Sequence, residues 1–112
     1  MNLELQTLTW AQAASLHTDA LIVLVSQKQA KTTGLLATML AQAEKSGDFA
    51  PTPGQCMLWW KPPGLNTQRL LFAGTGAGRA QDVRQAVTSA IQAVKKSKAS
   101  KVTICLQDSH EP

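Results

Sequence analysis

Three alternating glycines, Gly74, Gly76 and Gly78, are the residues of this chain whose spacing comes nearest to a chemical motif. Glycines let backbone N–H groups approach a phosphate, and a helix N-terminus behind them adds favourable dipole charge. The dinucleotide fingerprint is G-x-G-x-x-G, however, and Arg79 stands where its third glycine belongs. The Lys-Ser/Thr pair of a P-loop is missing too. The plainer expectation is a tight strand-to-helix turn, with no cofactor held by this chain.

Metal and nucleophile chemistry find less to work with. His17 and His110 are far apart, and neither has a Cys, His or carboxylate at ligand spacing. Cys56 and Cys105 fall in apolar segments, which raise a thiol's pKa and make it a poor nucleophile. They read as buried free thiols, and no paired carboxylates stand out. No catalytic, cofactor-binding or metal-binding residue is therefore assigned. Lys95, Lys96, Lys98 and Lys101 cluster at a helix end and a strand start. Favourable dipole charge accounts for them, and no aromatic platform accompanies them to make a nucleic-acid site. Trp59 and Trp60 are adjacent in an apolar run, so in a strand they point to opposite faces. One can sit under a helix; the other needs a second cover, which makes the pair the candidate interface.

The elements that position these residues follow from periodicity. Residues 69–73 form an apolar run that feeds the glycine turn. Val83, Ala86, Val87, Ala90, Ile91 and Val94 then recur as one helical stripe, predicting a helix over 82–96, with Asp82 in its first turn and lysines at its end. Residues 101–106 alternate, with Val102, Ile104 and Leu106 on one face, and a right-handed crossover lays this strand parallel to 69–73. Upstream, Leu3 and Leu5 alternate with polar residues as a half-exposed first strand, and Trp10 anchors a helical turn within 9–17. Residues 20–25 are continuously apolar, as in a strand covered on both faces. A helix is expected from Thr33 to Ser46, with Leu35, Leu36, Met39, Leu40 and Ala43 inward and Gly47 as its C-cap. Pro51, Pro53 and Gly54 mark a loop, and 55–60 a strand ended by Pro62 and Pro63 that pairs antiparallel with 69–73. The sum is a single α/β domain over 1–112: a mixed sheet of about five strands with flanking helices, and a fraying polar tail over 107–112.

The bulk numbers agree with this. A chain of 112 residues with 44% hydrophobic and 16% charged residues is an ordinary globular domain. Its net charge of +4 permits contact with nucleic acid without requiring it. Glu4 and the lack of an early Lys or Arg argue against a signal peptide, and the run over 20–25 is too short to span a bilayer, so the cytoplasm is the expected location.

Taken together, several segments resemble the N-terminal domain of the leucyl (cytosol) aminopeptidase family. Asp19-Ala20-Leu21-Ile22-Val23 is similar to its early strand, Gly47-Asp48-Phe49 with Gly54-Gln55 to its segment after the first long helix, and Arg69 through Gly76 to its R-hydrophobic-G-x-G strand and turn. The resemblance implies a macro-domain-like fold and a non-catalytic part in a hexameric metallopeptidase, a hydrolase that removes N-terminal residues. It places two divalent metals, zinc or manganese, in a separate C-terminal catalytic domain. It makes that domain and neighbouring subunits the partners, with DNA as a further partner in some bacterial members. On this reading the chain is an N-terminal fragment of a longer enzyme. The alternative is a free-standing macro-like module that binds ADP-ribose or nucleic acid. Leu24-Val25-Ser26-Gln27-Lys28, where macro domains carry an Asn-rich loop, speaks against it.

Overall fold

The central strand of the protein, β2 (Ala20–Ser26), explains the arrangement of the rest. In a computed structural model that describes residues 2–8, 10–26, 34–52, 54–61, 64–96 and 99–107, it is paired in parallel with β4 (Arg69–Gly76) on one side and β5 (Lys101–Gln107) on the other. β1 (Asn2–Leu8) adds in parallel outside β5, and β3 (Cys56–Trp60) adds antiparallel outside β4, giving the order β1-β5-β2-β4-β3. The strand over 101–106 is thus parallel to 69–73 as expected, but β2 lies between them. Gln107, expected to open the fraying tail over 107–112, is instead the last residue of β5, paired with Leu8. The expectations for Thr33, Pro53, Pro62, Pro63, Lys98, His110, the rest of that tail over 108–112 and the side chain of Leu106 fall outside the described residues.

Alternation along β2 divides the core. Leu21, Val23 and Val25 meet α1 (Trp10–Ala14) and α2 (Leu35–Ser46), together with Leu70 and Phe72. Ala20 and Ile22 meet α3 (Ala80–Lys95) through Ala86, Ala90 and Val94, with Val102 and Ile104 beside them. Two layers of helix are required because a strand buried on both faces has no solvent side. Val87 and Ile91 are half-buried along the flank of α3, as its stripe predicts. In α2 the buried set is Leu36, Met39, Leu40 and Ala43, while Leu35 is 38% exposed. Leu35 lies about 90° from the centre of the stripe that Leu36, Met39, Leu40 and Ala43 form, beyond its margin at Met39.

Gly47 ends α2 at φ 85°; its N–H bonds the Glu44 carbonyl, and the Asp48 N–H bonds that of Ala43. That is the Schellman arrangement, and a left-handed residue there favours glycine. At the amino ends of the strands, Asp19 ties β2 to β5. Its Oδ2 accepts from the Ser100 hydroxyl, from the Ser100 N–H at 3.1 Å and from the Lys101 N–H at 3.0 Å. Beside it Thr103 Oγ1 lies 3.1 Å from Thr18 Oγ1, and Thr67 Oγ1 reaches the Thr18 carbonyl at 3.1 Å, so the buried hydroxyls are partnered.

The Ser100 hydroxyl first, then the Lys101 and Ser100 amides, hold the Asp19 carboxyl below its ordinary value of 3.8, with the Arg69 charge adding to the effect. A folded pKa below the unfolded one stabilises fully above the unfolded value, and the contribution is lost as pH falls through the folded value. Asp19→Asn is therefore expected to lower the urea midpoint at neutral pH. The gap to wild type should close as pH falls below 3.8 through the folded value, which urea melts over a pH series check.

Candidate functional site

The glycine turn sits at the carboxyl end of β4, next to the end of β2, where open α/β sheets place their ligands. Its glycine amides are already engaged. The Gly74 N–H bonds the Gln55 carbonyl at 2.9 Å, the Gly76 N–H bonds that of Pro51 at 3.0 Å, and the Gly78 N–H bonds that of Thr75 at 2.9 Å. The Thr75 hydroxyl donates to the Val25 carbonyl at 3.2 Å, securing the turn to β2 where the register slips between Val25 and Ser26. The backbone over 51–52 lies so close that a Cβ on Gly74 would sit 2.3 Å from the Thr52 carbonyl oxygen. Gly74 is thus required by a neighbouring loop, and Gly78 by its φ of 81°.

The opposite end of the sheet carries an open polar depression of about 300 Å³ lined by His17, Thr18, Asp19, Asn66, Gln68 and Lys101. His17 is exposed there. The neighbouring carboxylate is taken up by Ser100 and Lys101, and the depression faces away from the carboxyl ends of the parallel strands. Among the described residues no three His, Cys, Asp or Glu side chains gather to hold a metal. Cys105 is buried and Cys56 half-buried, and burial pushes the Cys56 thiol up. Lys95 and Lys96 are exposed at the end of α3, and Lys101 at the start of β5. No described helix is long and apolar enough to cross a membrane.

The tryptophan pair is divided between the two faces of β3. Trp59 packs into the core, edge-on to Phe72 at 5.4 Å between ring centroids. Trp60 is 59% exposed, with the Arg69 guanidinium 4.6 Å and the Lys61 ammonium 5.5 Å from its ring centroid. On the same face Leu58 is 44% exposed. That Leu58 shares a face with Trp60 follows from their spacing in a strand, but that this face is the exposed one does not. The part played by Asp19 was not legible, because Ser100 and Lys101 are 81 and 82 positions away. The Trp10 indole N–H, buried with no hydrogen-bond partner among the described residues, also left no sequence signal.

The fold is macrodomain-like. The macrodomain of Thermus aquaticus DarG superposes with a TM-score of 0.61 at 11% identity, covering 91% of this chain and 74% of that one. The macrodomain of Mycobacterium tuberculosis DarG gives the same values. Sequence comparison narrows the class. Residues 20–111 match the N-terminal domain of the cytosol aminopeptidase family, and the chain belongs to that family. A probable cytosol aminopeptidase of Albidiferax ferrireducens is 38% identical over 105 residues, 94% of this chain and 22% of that protein. One of Acidovorax ebreus is 35% identical over 104 residues, 93% of this chain and 21% of that protein. The chain spans about a fifth of the length of the curated relatives it matches.

Two substitutions separate the demands on the turn. Gly74→Ala drives a Cβ into fixed backbone and is expected to destabilise by about 2–3 kcal/mol. Gly78→Ala meets open space and carries only the strain of its φ, about 1 kcal/mol. Urea midpoints at constant slope check both.

Proposed function

We propose that this chain serves as the non-catalytic N-terminal domain of a cytosolic, metal-dependent leucyl aminopeptidase, and that it contributes to assembly of the enzyme that removes N-terminal residues from peptides. The match over residues 20–111 carries this reading. Chemistry is consistent with it: a two-metal site that polarises a carbonyl and activates water needs several carboxylate or imidazole ligands together, and the described residues do not gather them. The two divalent ions, zinc or manganese, belong on this reading to a catalytic domain elsewhere in the enzyme. Neighbouring subunits are the assembly partners, in a hexamer in the cytoplasm.

The test is an exchange of domains. This chain replaces the matching segment of the Albidiferax ferrireducens relative, and sedimentation and hydrolysis of leucine p-nitroanilide are measured. The expected result is that the chimera keeps its relative's oligomeric state and its activity with added manganese or zinc, while the isolated chain shows neither turnover nor stoichiometric metal. Turnover by the isolated chain contradicts the proposal, and so does a chimera that folds but fails to assemble.

The macrodomain likeness favours a second reading, an ADP-ribose-binding module. Against it stand the glycine amides of the turn, donated to loop and turn carbonyls. Calorimetric titration with ADP-ribose is expected to show no saturable heat; micromolar binding would favour the second reading.

A further inference from the structure

The outer edge of β3 has a feature that its sequence alone does not show. In the antiparallel ladder with β4, the Lys61 N–H bonds the Gln68 carbonyl and the Gly74 N–H bonds that of Gln55. Hydrogen-bonded pairs alternate along such a ladder, so Met57 and Trp59 also direct their backbone groups toward β4. Cys56, Leu58 and Trp60 therefore direct theirs outward, where β3 is the last strand of the sheet among the described residues. Their side chains share one face, on which Leu58 is 44% and Trp60 59% exposed. Edge strands are ordinarily guarded by charge, proline or a bulge. Cys56-Met57-Leu58-Trp59-Trp60 carries no charged residue and no proline, and its pairing with β4 runs without a register shift.

We propose that this edge is a self-pairing surface, on which a second copy of the chain joins β3 to β3 antiparallel about a two-fold axis beside Leu58. The outward residues are symmetric about Leu58. One register therefore matches Cys56 with the partner's Trp60, Leu58 with the partner's Leu58, and Trp60 with the partner's Cys56, and satisfies the edge with about six backbone hydrogen bonds. The same register continues the apolar face, setting Leu58 of one copy against Leu58 of the other and letting each Trp60 cover the partner's end of β3. Charge selects the antiparallel arrangement. Lys61 and Arg69 crowd the Trp60 end of the strand. A parallel pair would bring both cation clusters together, whereas the antiparallel pair holds them about 14 Å apart along the strands, beyond the screening length of about 8 Å at physiological salt. A surface of one short strand, one indole and one leucine falls well below the roughly 800 Å² per partner of a standard interface, so the dimer is weak and concentration-dependent. It is a property of the chain itself and does not depend on the peptidase reading.

Amide exchange measured residue by residue, alongside sedimentation, tests this from about 10 μM to about 1 mM, the span in which a contact of this size forms. Chains should pair as concentration rises, and exchange at Cys56, Leu58 and Trp60 should slow by about tenfold where most are paired. Met57 and Trp59, bonded to β4 throughout, should not change. Leu58→Pro removes an outward N–H without touching the β4 ladder, and Leu58→Lys sets like charges opposite each other at the axis. Both should leave the chain monomeric, while Leu5→Lys on the far edge strand should pair as wild type does. A wild type that stays monomeric throughout overturns the proposal. So does association that leaves the Leu58 and Trp60 amides unchanged, or that survives both Leu58 variants and fails with Leu5→Lys.

Discussion

Everything in this molecule answers to the burial of β2 on both faces. Leu21, Ile22 and Val23 are wholly inaccessible to water, and their alternation sends consecutive side chains into two separate cores. A strand of that kind can sit only at the centre of a sheet with a helix layer above and below. The two layers are unequal: among the described residues α1 and α2 share one side, and α3 is the one helix on the other. One helix is roughly 10 Å across and strands lie about 4.8 Å apart, so α3 shields the middle strands and leaves the margins of its face open. Leu3 and Leu5 on β1, and Leu58 and Trp60 on β3, are exposed for that reason.

Most of this architecture is legible in the sequence because it is written in period. The stripe in α3, the continuous run of β2, the alternation of β5 and the Gly47 cap each depend on neighbours within a few positions. Strand order is another matter. That β2 comes between β4 and β5 is decided by how the two cores close, which no local pattern encodes. The Asp19 tether escaped for the same reason, since Ser100 and Lys101 meet it only after β5 has docked. The tryptophan pair shows both sides of the limit. Opposite faces follow from adjacency in a strand, but it takes Phe72 beside one ring and Arg69 beside the other to say which is core and which is surface.

The glycine turn shows why a motif needs its context. Alternating glycines ahead of a helix suit both a phosphate cradle and a close backbone crossing. Here the crossing is occupied: Gln55 and Pro51 supply carbonyls to Gly74 and Gly76, and the backbone of Pro51 and Thr52 fills the space that a Cβ on Gly74 would take. A macrodomain-like fold is thus combined with a turn whose glycine amides do structural duty.

The most direct measurement of that account is hydrogen exchange at Gly74 and Gly76 in the free protein and in the presence of inorganic phosphate or ADP-ribose. Amides bonded to Gln55 and Pro51 are expected to exchange slowly from the outset, and at rates the added compounds do not alter. Fast exchange in the free protein that becomes slow and saturable with either compound would show the turn to be a phosphate cradle, and would contradict the account.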